Sequence, residues 1–172
     1  MSATSIRRSD RVARPTAKNV YHHPLKQHSV NPPTGFFRDG FCDTDPADVG
    51  NHTVAGQLTP EFLEFTSKRG NNLNRVPGLH PYSRWCLCAG RWKEAYDAYK
   101  RGELGRHGVP PVDLAATHMR ALNTLKLDEM KEFAVPDGEG ASKDEEEVYH
   151  GIRDEDGRKT SRVGGVKVEW KA

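Results

Sequence analysis

Apolar positions recur at helical spacing in the stretch "TPEFLEFTSKRG", residues 59–70. Phe62, Leu63 and Phe65 fall on one face of a helix with 3.6 residues per turn. Thr59 is a suitable N-cap residue, and the proline that follows it fits the first helical turn. Gly70 can adopt the left-handed conformation that ends many helices. The pattern therefore predicts a helix between Thr59 and Gly70.

A short apolar run leads into a second helical pattern in "RWCLCAGRWKEAYDAY", residues 84–99. The first six residues are mostly apolar and end at Gly90, which is typical of a short strand. Beyond the glycine, Trp92, Ala95 and Tyr96 repeat at the spacing of one helix face. The sequence predicts a strand, a break at Gly90 and then a helix.

Weaker patterns predict the remaining elements, which turns rich in proline and glycine separate. Strands are expected over residues 52–58 and 112–117, and for the end of the chain, "VGGVKVEW", an edge strand or a partner-binding segment is the alternative to a frayed end. Short helices are expected over residues 118–125, with Thr117 as N-cap, and over residues 128–134. These elements indicate an α+β fold: a single compact domain with a small sheet, three to four short helices, long ordered loops and disordered ends.

Composition divides the 172 residues into three parts. Residues 1–27 form a basic arm, residues 28–135 the globular domain, and residues 136–172 an acidic tail. The net charge of +2 is too small to indicate nucleic acid binding from the overall field. Since no stretch approaches the apolar length of a membrane span, a cytoplasmic protein is predicted. The arginine-rich start leaves a mitochondrial location as the weaker alternative.

The chain has three cysteines, Cys42, Cys86 and Cys88. An odd number cannot form a closed disulfide framework, which favours a reducing compartment. On a strand, Cys86 and Cys88 would point to the same face. Three interpretations remain open: thiols packed in the core, ligands of zinc or iron, or a reactive thiol near Arg84 and Arg91.

A metal site or a Cys–His catalytic site requires further ligands from distant parts of the chain. Histidines at the start of a predicted helix and beside a Gly-Asn turn are the candidates, although such histidines are more often structural. The candidate metal site comprises Cys42, His52, Cys86, Cys88 and His118.

Charged residues beside turns and glycines give a second kind of candidate site. Arginine holds carboxylates and phosphates in two-point contacts, so these residues are a candidate pocket for a small anionic ligand. Internal Arg–Asp pairs that tether loops are the alternative interpretation, and there is no glycine-rich nucleotide-binding motif. Trp85 and Trp92 are interpreted as core residues. The candidate ligand-binding residues are Arg38, Asp39, Asp48, Arg84 and Arg91.

Several ordered blocks resemble the Domain of Unknown Function 2237 family, small proteins found mainly in bacteria with eukaryotic relatives. The blocks are "PTGFFRDGFC", "DVGNHTV", "TPEFLEFTSKRGNNL", "PGLHPYSRWCLCAGRWKEA" and "ATHMRAL", within residues 28–134. The resemblance implies no reaction, cofactor or catalytic residue.

The chain departs from that family pattern at positions where the family has cysteine or aspartate. His28 and Ala55 stand where the family has cysteines, and Asn72 stands where aspartate is usual. If the family cysteines bind a metal, His28 could replace one of them, but Ala55 could not replace the other.

These observations predict a domain that binds a metal or a small anionic ligand through a Cys/His/Arg cluster, with enzymatic activity left open. The alternative is a protein-interaction or scaffold module without chemistry, using the two charged ends as contacts.

Overall fold

The computed structural model describes residues 16–136 and, in the C-terminal part, two strands. Strand β1 is Val54–Gln57, helix α1 is Pro60–Lys68, β2 is Arg84–Leu87, α2 is Ala89–Lys100 and α3 is Leu127–Lys131. Strands β3 and β4 are Thr160–Val163 and Val166–Glu169. The predicted α+β class is confirmed. The rest of the predicted arm and tail lies outside the described residues.

The central sheet consists of β1 and β2, which pair antiparallel with Val54 opposite Leu87 and Ala55 opposite Cys86. A single bridge from Gly56 to Val112 covers the other edge of β1. Residues 112–117 were predicted as a strand, but only isolated bridges from Val112 to Gly56 and to Ala134 are observed there, because a turn begins at Leu114. Strands β3 and β4 form a separate antiparallel pair within the predicted tail.

The main core lies between the sheet and helices α1 and α2. Trp92 is fully buried, donates its indole N–H to the carbonyl of Pro110 at 2.9 Å and stacks on Tyr96. Phe62 and Leu63 of α1 and Trp85 of β2 belong to the same core cluster. The interpretation of the two tryptophans as core residues agrees with these contacts.

Residues before position 28 also contact the domain. Val20 and Leu25 are buried, and the backbone N–H of Val20 donates to the carbonyl of Thr117. The N–H of Lys26 donates to Ala115. The observed contacts thus begin about ten residues before the predicted start of the domain. No helix in the described part of the chain has the length and apolar character needed to cross a membrane.

Thr59 and Gly70 limit α1 as the sequence predicts, and the cap is open to a direct test. The Thr59 hydroxyl accepts the N–H of Phe62 at 3.1 Å, and Gly70 has a positive φ of 84°. Thr59→Ala should lower the free energy of unfolding by about 1 kcal/mol, because it leaves that N–H without a partner in a buried position. Urea denaturation measures the change. Thr59→Ser, which keeps the hydroxyl, should retain most of the stability, and equal losses in both variants would contradict the role of the cap.

The helix predicted over residues 118–125 is a short 3-10 segment, Met119–Asn123. Its N-cap is His118 rather than Thr117, since Nδ1 of His118 accepts the N–H of Arg120 at 3.0 Å. The Thr117 hydroxyl instead accepts the N–H of Ala55 and donates to the carbonyl of Asp113. The predicted cap was wrong because Thr117 is occupied in joining β1 to the 113–117 segment.

Candidate functional site

A disulfide joins Cys42 and Cys86, whose Cα atoms are 5.2 Å apart. Both residues are buried, and together with Ala55 and Ala116 they form a small cluster separate from the main core. A sulfur atom in a disulfide is not a thiolate, and the thiolate is the form that binds metals or acts as a nucleophile. In this state, neither Cys42 nor Cys86 is available for the chemistry predicted for it.

Cys88 is the free cysteine of the chain. It lies one residue beyond β2, as the N-cap of α2, and it is half-buried. The strand therefore ends before Cys88, and Gly90 lies in the first turn of α2 instead of preceding the helix. Within residues 16–136, no three His, Cys, Asp or Glu side chains are placed to hold a metal ion. The five predicted ligands are thus not gathered at one centre.

His52 forms a close pair with a buried carboxylate. Its Nδ1 lies 2.6 Å from Oδ1 of Asp48, and its backbone N–H donates to Oδ2 at 2.8 Å. Asp48 is buried, whereas the His52 side chain is 45 % exposed. Burial raises the pKa of Asp48, but hydrogen bonds from the His52 side chain and backbone outweigh it and leave that pKa below its ordinary value. Because the ionised carboxylate only accepts, Nδ1 donates in this contact, and Nε2 has no partner among residues 16–136.

His118 forms a second histidine–carboxylate pair. Its Nε2 is 3.7 Å from Oδ1 of Asp43, and both side chains are largely buried. Burial lowers the pKa of His118, Asp43 opposes this shift, and the charge of Arg120 adds to it, so that the pKa lies below the ordinary value. The His118 ring is therefore a neutral imidazole near pH 7, whose Nδ1 accepts a backbone N–H.

Thr44 and Arg120 connect these two pairs. Nη1 of Arg120 donates to Oγ1 of Thr44 at 2.8 Å and to the carbonyl of Asp45 at 2.7 Å. The same Thr44 hydroxyl donates to Oδ2 of Asp48 at 3.2 Å. One oxygen atom thus lies between the arginine and the carboxylate that orients His52. We define the Arg120 site as Thr44, Asp48, His52, His118 and Arg120.

The loop that carries Thr44, Asp48 and His52 is held by its own turn chemistry. The side chain of Asp45 accepts the N–H of Ala47, and the backbone carbonyl of Asp45 accepts the N–H of Asp48. Asn51 has a positive φ of 49°, a conformation that asparagine adopts more readily than most residues. Its side chain donates to the carbonyl of Arg120, and its carbonyl accepts the N–H of Ala89 at the start of α2.

Of the five predicted ligand-binding residues, only Asp48 belongs to the Arg120 site. The guanidinium of Arg38 lies over the Trp85 ring, 4.7 Å from its centroid. Arg84 lies 3.5 Å from Asp113 and Arg91 pairs with Glu94, while Asp39 accepts the N–H of Phe41. Of these contacts, only that of Arg84 with Asp113 is an Arg–Asp pair of the kind in the alternative interpretation, since Arg91 and Glu94 lie in the same helix.

His28 is buried, and both of its ring nitrogens are occupied. Nε2 lies 3.0 Å from the carbonyl of Gly56, and Nδ1 lies 3.3 Å from Nη2 of Arg84. A histidine in this position cannot also bind a metal without breaking one of these contacts. Ala55, the second departure from the family pattern, lies in the cluster around the disulfide.

Sequence reasoning did not select Thr44, Asp43 or Arg120. Each is an ordinary polar residue whose role depends on a contact with a residue 75 or more positions away in the chain. The bond between Arg120 and Thr44 and the approach of Asp43 to His118 are such contacts. The only signal was the adjacency of Arg120 to His118 and of Asp43 and Thr44 to Cys42.

The comparison with known proteins agrees with the resemblance seen in the sequence. Residues 18–134 match the family model described as an uncharacterized protein conserved in bacteria. No curated protein matches the chain. Because the match spans more than half of the sequence, the chain belongs to the Domain of Unknown Function 2237 family.

Proposed function

We propose that this domain binds a small anionic ligand at the Arg120 site. Of the two kinds of ligand predicted from the sequence, an anion is the better supported, because the disulfide occupies two of the predicted metal ligands. We also propose a cytoplasmic location, on the composition of the chain.

The state of Arg120 carries this proposal. Its guanidinium is held by a hydroxyl and a carbonyl, both uncharged, and it forms no ion pair with a carboxylate among residues 16–136. Both bonds use Nη1, so the Nε and Nη2 edge remains for a two-point contact with a carboxylate or phosphate group. A half-buried arginine with a fixed orientation and no direct ion pair among residues 16–136 is suited to an anionic ligand.

His52 gives the same site a group that can accept or donate a proton. Asp48 orients the ring through Nδ1, as the carboxylate does in many acid–base sites, and Nε2 is directed away from this contact. Because Thr44 and Asp48 connect Arg120 to His52, a ligand that contacts both the guanidinium and the ring would be able to exchange a proton with His52. This group makes enzymatic activity part of the proposal without specifying a reaction.

Titration with simple anions tests the proposal. Inorganic phosphate, sulfate and acetate are added to isotope-labelled protein, and the NMR signals of His52 and of the Arg120 side chain are followed. We expect saturable shifts with phosphate, and a loss of affinity of roughly tenfold or more in Arg120→Met, because a charged hydrogen bond contributes about 1.5–3 kcal/mol.

Arg91→Met is the matched control, since it removes the same charge from a guanidinium already paired with Glu94. The control should bind phosphate as the unmodified protein does. Absence of saturable shifts with all three anions, or equal losses in the two variants, would overturn the proposed function.

A further inference from the structure

We propose that the buried Cys42–Cys86 disulfide is a redox switch that controls the Arg120 site. This inference rests on the proposed function, which supplies the activity to be controlled. Cys42 is followed directly by Asp43 and Thr44, which contact His118 and Arg120. A change in the position of Cys42 is therefore transmitted to the site through one or two peptide units.

The surroundings of the disulfide connect it to both histidines. Ala55 of β1 lies opposite Cys86 in the sheet, and Ala116 is two residues before His118. These two alanines and the two cysteines are all buried, and they form one cluster. The sulfur atoms thus pack against the segment that carries His118 and against β1, which follows His52 in the chain.

Reduction transfers two electrons and two protons from a dithiol to the disulfide, which becomes two thiols while the dithiol becomes a disulfide. The sulfur atoms then separate from bonding distance to van der Waals distance, so two thiols occupy more space than one disulfide. Protein interiors are close-packed and do not absorb such an increase without displacement of a segment. One of the two cysteines must move.

Cys42 is held by fewer backbone contacts than Cys86. Cys86 is held by its pairing with Ala55, and its N–H donates to the Thr34 hydroxyl at 2.7 Å. Cys42 lies in an irregular segment outside the helices and strands. Its displacement would separate Asp43 from His118 and Thr44 from Arg120, which removes the contacts that orient the guanidinium.

The proposed location gives the switch a reductant. In the cytoplasm, protein and small-molecule dithiols keep most cysteines reduced, and the disulfides that do form there are usually transient or redox-sensing. The fully buried sulfur atoms would then react only when the segment of Cys42 opens.

The experiment uses the full chain with Cys88→Ser, so that a single redox couple is present. The protein is equilibrated in mixtures of oxidised and reduced dithiothreitol, and the thiol content is measured by alkylation and mass spectrometry. Amide hydrogen exchange of residues 43–52 and inorganic phosphate affinity are measured in both states. We expect faster exchange in this loop after reduction and a loss of phosphate affinity of roughly tenfold, as for one lost charged hydrogen bond.

The amides of α1 are the internal control, and Cys42→Ser/Cys86→Ser is a second form without the disulfide. Unchanged exchange in residues 43–52, in reduced protein and in the serine variant, would overturn the switch even where phosphate binds. Loss of protection in α1 as well would show general unfolding and would also overturn it. If phosphate binds neither form, the proposed function fails, and the exchange of the loop alone decides whether the disulfide controls its structure.

Discussion

Removal of the Cys42–Cys86 disulfide should lower the free energy of unfolding by about 4 kcal/mol. The two cysteines are 44 positions apart, so the bond closes a long loop in the unfolded chain. In the entropic description of disulfides, restricting that loop lowers the entropy of the unfolded state and so raises the free energy of unfolding. Both cysteines are buried, so the disulfide is not exposed to solvent in the folded protein.

Urea denaturation of Cys42→Ala/Cys86→Ala in the Cys88→Ser background measures this effect. Alanine is chosen because it fits the small cluster with Ala55 and Ala116 without the volume of two thiols. Cys88→Ser alone is the control and should unfold close to the unmodified protein. A loss below about 1 kcal/mol would contradict a stabilising disulfide, because restriction of a loop of this length in the unfolded chain is expected to contribute about 4 kcal/mol.

The cysteines show where reasoning from the sequence ends. Their number and spacing left core packing, metal binding and a reactive thiol open, and an odd count favoured reduced thiols. The observed pairing depends on the approach of the segment at Cys42 to β2, a contact that neither local pattern encodes. Cys42 and Cys86 are buried, as the core interpretation predicts, but they form a disulfide instead of remaining thiols.

Elements with strong local signals were predicted well. Helix α1 begins after Thr59 and ends before Gly70, since a cap and a left-handed residue act within a few positions of the helix they limit. The boundary between β2 and α2 was less accurate. Gly90 lies inside the helix because the pairing of β1 with β2 ends at Leu87 and α2 begins two residues later, at Ala89.

The candidate site was predicted only in part. His52, Asp48 and His118 were selected from the sequence, and the structure places all three in one network. The arginine in this network is Arg120, whereas Arg84 and Arg91 pair with carboxylates elsewhere and Arg38 lies over the Trp85 ring. Which arginines are left without a carboxylate partner is a property of the folded arrangement, because every arginine has the same charge in the sequence.

His28 should make the domain lose stability in acid. Burial lowers its pKa most, the charge of Arg84 lowers it further, and the Gly56 carbonyl opposes the shift, which leaves the pKa at about 3. The ordinary histidine pKa of 6.5 applies to the unfolded chain. Between these two values the unfolded state binds a proton that the folded state does not, so the free energy of unfolding falls as the pH is lowered.

The expected loss is about 1.4 kcal/mol per pH unit below 6.5, or roughly 2–3 kcal/mol at about pH 4.5. The full contribution of His28 is present above pH 6.5 and is lost as the pH falls towards the folded pKa. His28→Gln should remove this component, because its amide can donate to the Gly56 carbonyl and accept from Arg84 without titrating.

Urea denaturation from about pH 7 to about pH 4.5 compares the slopes of stability against pH, and each slope gives the number of protons taken up on unfolding. The slope for His28→Gln should be smaller by about one proton per chain. His23→Gln makes the same chemical change at an exposed position and should keep the original slope. If both variants keep it, the buried ring is not the source of the acid sensitivity, and the neutral imidazole between Gly56 and Arg84 would have to be reassigned as a protonated one.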